Sequence, residues 1–256
     1  MRRYATPILA LGALAIASFT PAIASPGETH GTAETLEDGQ WELGLFAALR
    51  RGMGNGMELS LHPLTAIKAP NLALKKIISE SEGKKVAVRH SLTYATPLLK
   101  TLSTPGTGGV LPADSTIPHI VALDNRFLAS QSLNSDTLLT LSARILLGLS
   151  FGESDWPQID MPIALPRTAA YQDTISTAVG VQLDGQLTET LGYRLDIDAW
   201  MMPLSEAKWA VEARAHLPWR PSEHFTAQLT GVAVAGAYNY GTNWHLLPGF
   251  DLIWGW

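Results

Sequence analysis

The sequence predicts an all-β fold, a single antiparallel transmembrane β-barrel of ten or twelve strands, and three observations predict it. Apolar and polar residues alternate with a period of two through most of the chain beyond residue 40, as in strands whose two sides meet different surroundings. The alternating runs are roughly ten residues long, enough to cross a bilayer at a tilt. The stretch Trp244 to Trp256 sets Leu246, Pro248, Phe250, Leu252, Trp254 and Trp256 on one face, with His245, Leu247, Gly249, Asp251, Ile253 and Gly255 between them. A face so rich in aromatics invites aggregation on a soluble edge strand and suits the interfacial girdle of a membrane barrel.

The chain has 256 residues, 16% of them charged and 46% hydrophobic, enough for one large β domain or two small ones. Its net charge of −5 offers no basic stripe to phosphates and argues against a nucleic-acid partner. There is no cysteine, which excludes disulfides and thiolate metal sites. Closing a sheet on itself is another way to hold such a chain, because every backbone donor and acceptor is then paired.

Residues 1–24 read as an export signal, with Arg2 and Arg3 leading, Ile8 to Ile16 apolar, and Ala22-Ile23-Ala24 as a small-x-small cleavage site. Residues 25–39 read as a flexible periplasmic lead-in and 40–256 as the barrel. The first strand is expected over Trp41–Leu49, followed by a Gly/Asn reversal at Gly52 to Gly56 and a return over Met57–Leu64. Leu72–Ile78 fits a strand or a short helix. Val86–Tyr94, Ile120–Leu128 and Leu138–Leu149 alternate, separated by a long Pro/Gly/Thr-rich connection at 100–118. A second long connection covers 152–167. Tyr171–Leu183 and Leu187–Met201 flank Asp184-Gly185, which reads as a type I′ hairpin turn. Ala207–Leu217, Phe225–Ala237 and the C-terminal stretch complete about eleven strands. Single-chain bacterial barrels have an even number, so one strand is missed or miscounted, and the weak patterning of 72–78 and 100–118 points there.

Glu42, Glu58, His62, Arg144, Arg194, Asp196, Asp198, Lys208, Glu212, Arg214 and His216 lie opposite apolar faces and are the candidate interior-lining residues. They fit a pore lining or a lattice of ion pairs filling a narrow barrel. Both signs are present in similar number, so no strong ion selectivity is implied. Arg194 beside Asp196 and Asp198 favours a salt-bridge ladder over paired catalytic acids. The seven histidines show no metal-ligand spacing. Arg89-His90-Ser91 sets His and Ser on opposite faces of a strand, the wrong geometry for acyl chemistry. No catalytic, cofactor or metal residues are assigned, and an enzyme is not expected.

In its exported start, its alternating strands and its aromatic end, the chain resembles the β-barrel outer-membrane proteins of Gram-negative bacteria. Phe250, Leu252, Trp254 and Trp256, with Pro248, are similar to the terminal signal by which barrel-assembly machinery recognises that class, with Trp in the usual place of Phe. The resemblance implies outer-membrane lipid and that machinery as partners. The expected function is passive passage of small solutes. The alternatives are a filled, non-conducting structural or interaction barrel, a membrane-embedded lipid hydrolase, and a secreted soluble β-sandwich.

Overall fold

The structure is a computed structural model that describes residues 27–104, 111–159, 161–206, 208–238 and 241–256. The expected export signal lies outside the described residues. Twelve antiparallel strands form a closed barrel: β1 (Trp41–Gly44), β2 (Leu49–Gly52), β3 (Met57–Leu61), β4 (Asn71–Ser81), β5 (Lys84–Tyr94), β6 (His119–Asn134), β7 (Thr137–Phe151), β8 (Ile175–Gln186), β9 (Gly192–Met201), β10 (Trp209–Ser222), β11 (Phe225–Tyr238) and β12 (Gly241–Gly255). Each pairs with its neighbours in sequence, and β12 closes on β1 with Leu43 opposite Trp254. No sheet edge is left to recruit another chain.

The miscounted strand lies where the alternation is clean. The expected strand 41–49 is two short ones, β1 and β2, with a reversal over Leu45 to Ala48. The Asp251 carboxylate holds that corner by accepting the Phe46 N–H at 2.9 Å. A Cβ on Gly44 would lie 2.5 Å from the Ala47 Cβ, so the corner needs a glycine there. The two weakly patterned stretches do not hide the extra strand. Residues 72–78 are strand β4, with Ala73 and Lys75 buried. The 100–118 connection carries no described strand and begins in helix α2, Thr96–Leu102, after the four-residue helix α1, Pro63–Ala66.

The predicted Asp-Gly hairpin turn is also corrected. Asp184 and Gly185 lie inside β8, paired with Arg194 and Tyr193. Neither has the positive φ that a type I′ turn requires. The Tyr193 ring lies across Gly185, where a Cβ would stand 2.5 Å from it. The reversal spans Leu187–Leu191, where the Thr188 hydroxyl accepts the N–H groups of Thr190 and Leu191. Tyr171–Asp173, expected as strand, ends helix α3, Ala164–Asp173.

Alternation sorts the side chains. Leu141, Ile145, Val179, Ile197, Leu217, Leu229, Leu246 and Phe250 are exposed on the outer face. Leu195 and Trp254, whose burial between stacked sheets would have marked a sandwich, are exposed as well. One end of the barrel has tight connections, at Met53–Gly56, Glu82–Gly83, Ser135–Asp136 and Glu223–His224. The other carries the long ones, including α2 and α3.

Both ends are filled. From the long-loop end, α3 seats Leu165 and Ala169 against Ala178, Trp200, Met202, Ala210 and Tyr238, and Ala170 against Ala122 and Leu146. Helix α2 adds a neighbouring cluster, with Leu99 packed among Leu111, Ile117, Ile120, Trp156 and Ile159. From the tight-turn end, residues 27–38 run into the interior, with Thr32 and Ala33 fully buried. The composition of this segment suggests a flexible lead-in, and the structure corrects that expectation. It is fixed because its backbone polar groups find partners on the inner wall, where a buried segment must satisfy them.

Candidate functional site: the polar lumen

The inner wall beneath the N-terminal segment is a charged lattice. Gly27 donates its N–H to Glu42 Oε2 at 2.7 Å, and Ala33 donates to Ser130 Oγ at 2.8 Å. Leu36 donates to Glu58 Oε2 at 3.2 Å. In return the segment's carbonyls accept from the wall: Gly27 O from Arg194 at 2.7 Å, His30 O from Gln182 at 2.9 Å, and Thr29 O and Glu34 O from Lys75. The bonds reach β1, β3, β4, β6, β8 and β9, so the segment spans the lumen rather than lining one side.

Below it, Arg50 is held between two carboxylates, with Nη1 3.1 Å from Glu42 Oε1 and Nε 2.9 Å from Glu58 Oε1. Lys75 Nζ lies 3.5 Å from Glu58. Across the barrel, Arg214 bridges Asp196, Asp198 and Glu212. Glu212 also accepts from both terminal guanidinium nitrogens of Arg167, which descends from α3. Arg194 pairs with Asp184 at 2.6 Å, and His216 Nε2 lies 3.2 Å from Asp196. Arg144 binds Asp124 with two nitrogens. The Arg144 and Arg167 guanidinium groups lie over the Trp200 ring, 4.9 and 5.2 Å from its centre.

Of the sequence-selected residues, Glu42, Glu58, Arg144, Arg194, Asp196, Asp198, Glu212, Arg214 and His216 sit on the inner face of their strands, gathered in these networks. Two do not. His62 stands at the rim as the residue before α1, its Nε2 against the Phe46 carbonyl. Lys208 is exposed in the connection before β10 and reaches the Pro203 carbonyl. Both fall just past a strand end, where the period of two stops having a face to report. Sequence reasoning passes over Lys75, Arg89, Asp124, Arg126, Arg167 and Asp184. Arg89 shares a face with Ala87, Ser91 and Thr93 in the alternating run 86–94, so extending the same parity along every strand would find it. Arg167 comes from a helix read as loop, and nothing local marks it.

Phe250, Trp254 and Trp256 are exposed on the outer face, where Trp256 stacks on Trp41 across the β1–β12 seam with ring centres 6.4 Å apart. Tilted contact of Phe225 with Trp254 extends this aromatic band. On the same outer surface, His90 Nδ1 pairs with Asn125 Oδ1 at 2.7 Å.

The His30 imidazole touches Glu42 and is held below its ordinary 6.5: burial pushes it down, Glu42 pulls it up, and Arg50 and Arg194 add to the lowering. The released segment therefore takes up a proton more readily than the docked one. Docking is strongest above pH 6.5 and weakens as pH falls through that value toward the lowered one. Hydrogen exchange over residues 27–38, corrected for intrinsic rates, should accelerate between pH 7.5 and pH 5, and His30→Gln should flatten that dependence.

No protein-family model matches the sequence, and no curated protein matches it.

Proposed function

We propose that the chain is a β-barrel of a Gram-negative outer membrane that passes small solutes and is held shut by its own N-terminal segment. The girdle at Trp41, Phe225, Trp254 and Trp256 and the apolar outer face support lipid as its surroundings. The C-terminal strand supports insertion by barrel-assembly machinery, after export directed by residues 1–24. The observation that carries the channel reading is the chemistry of the closure. Residues 27–38 are fixed to the wall mainly by hydrogen bonds and ion pairs, contacts that water can replace at small net cost. Beneath them remains a cavity of about 290 Å³ lined by Arg50, Glu58, Lys75, Arg89 and Arg126. A wall built only as filler has no reason to keep such a space.

A second reading, a filled and non-conducting barrel, is favoured by α3, whose apolar seat fills part of the opposite end. Planar-bilayer recording separates them. The mature chain should show brief, rare openings, and removal of residues 27–38 should give steady step conductance. Cysteines at Ala33 and Ser130, in a chain that otherwise has none, should silence openings when oxidised and restore them when reduced. No steps from the shortened chain would leave the filled barrel as the reading. Monodisperse behaviour of the mature chain in plain buffer, without heat-modifiable mobility on gels, would remove the membrane assignment itself.

A further inference from the structure

The cavity beneath the N-terminal segment has an unusual wall. Lys75, Arg89, Arg126 and Arg144 occupy directly opposed positions on four consecutive strands: Lys75 faces Arg89, Arg89 faces Arg126, and Arg126 faces Arg144. Like charges placed directly opposite one another in a sheet are destabilising. Carboxylates answer this row only in part. Arg144 takes Asp124 with two nitrogens, and Lys75 shares Glu58 with Arg50. The central two are poorly served. Arg89 comes no closer than 3.8 Å to Asp124, a carboxylate already held by Arg144. Arg126 is 3.8 Å from Asp198, which Arg214 holds at 2.7 Å. Among the described residues, Arg126 has one side-chain hydrogen bond, to Ser142 at 3.1 Å, and its Nε is buried with no partner. Both arginines line the cavity, and they keep 34% and 22% of their side-chain surface exposed within the barrel.

We infer that this cavity is a binding site for a small oxyanion, a carboxylate or a phosphate, taken between the guanidinium groups of Arg89 and Arg126 under a roof formed by Thr29 to Thr32. The planar guanidinium fork matches both groups, offering paired N–H donors to two oxygens. An anion there would relieve the repulsion along the row and take up the exposed guanidinium surface of both arginines. The volume, about 290 Å³, matches the small end of known ligand pockets, which suits a metabolite-sized anion. The inference concerns binding and holds whether or not the barrel conducts.

The test titrates the folded barrel in detergent with inorganic phosphate and, separately, with benzoate, against chloride at equal ionic strength, following heat release and thermal stabilisation. Saturable binding is expected at millimolar concentration or below. Phosphate alone, benzoate alone or both would support the site and identify which source of the oxyanion it accepts. Arg89→Gln and Arg126→Gln should each weaken binding about tenfold, and the Lys variants should fall between. Without ligand, Arg126→Gln should be no less stable than the parent, since it removes one member of a repelling row. A purely structural arginine would instead lose stability, and heat-modifiable mobility confirms that each variant has folded. Absence of saturation over chloride, or binding unchanged in the double Arg89→Gln, Arg126→Gln variant, would overturn the site.

Discussion

Replacing Arg50 with methionine is expected to destabilise the barrel by about 3–5 kcal/mol, the largest single-residue loss in the lumen. The side chain is only 5% exposed. It donates to Glu42 and to both oxygens of Glu58, and Nη2 also reaches Thr29 Oγ1 at 2.7 Å. Glu42 and Glu58 are themselves nearly inaccessible, at 1% and 4%. Without the guanidinium, two carboxylates are left in a confined space with only the His30 imidazole beside Glu42 and the Lys75 ammonium 3.5 Å from Glu58 to answer them. The cost therefore comes mainly from stranded charge, and methionine fills much of the same volume. The double variant Glu42→Leu, Arg50→Met tests this account, because it removes one carboxylate together with its cation and leaves Glu58 with Lys75. Urea titration of refolded barrels should show the double variant losing less than Arg50→Met alone. Equal or greater loss would mean that packing, not charge, holds this part of the lumen. The N-terminal segment should loosen in both variants, since Thr29 loses Arg50, and further in the double variant, where Gly27 also loses Glu42.

The all-β barrel is legible because its information is local and repeated. Each strand from Val86 onward carries its own alternation, and the parity argument against eleven strands needs no coordinates. The error falls at Trp41–Leu49, where Leu45, Ala47 and Leu49 continue the apolar parity through a corner. What breaks the strand there is Asp251, more than two hundred residues away, accepting the Phe46 N–H. The Asp184-Gly185 pair misleads for a similar reason. Its dipeptide chemistry suits a turn, yet the Arg194–Asp184 ion pair and the Tyr193 ring across the ladder draw both residues into β8. The lumen is half legible. Parity places Glu42, Glu58 and Arg214 inside, but whether the inside is open or filled depends on residues 27–38 and α3. Residues 27–38 have the composition of a linker and become ordered only through partners scattered over six strands. Helix α3 combines small residues with Arg167 and has no strong apolar stripe of its own. Its place is set by the barrel wall that receives it.

Gly148→Val should expel α3 while leaving the barrel closed. Gly148 lies on the inner face of β7, and a Cβ there would stand 2.0 Å from the Ala170 carbonyl oxygen and 2.6 Å from its carbon. These are backbone atoms, so no rotamer change relieves the clash. Valine suits an extended strand, and the ladders from β7 to β6 and β8 need not change. The helix must then leave a seat in which Leu165, Ala169 and Ala170 are fully buried, at a cost of about 2–5 kcal/mol in lost docking. It would also give up the paired bonds from Arg167 to Glu212. Part of that loss is offset by strain. The residues flanking α3, Ile163 and Thr174, are β-branched and sit at φ 65° and 73°, a conformation worth about 1–3 kcal/mol at each residue. Such backbone persists only while the surroundings enforce it, so α3 is the part of the filling most readily released once its seat is blocked. Acrylamide quenching of tryptophan fluorescence should rise, because Trp200 is 1% exposed beneath the helix. If the N-terminal segment is the operative closure, Gly148→Val alone should show no more than the parent's brief, rare openings. Combined with removal of residues 27–38, it should give a larger step than the shortened chain alone. Steady conductance from Gly148→Val by itself would move the gate from the N-terminal segment to the helix.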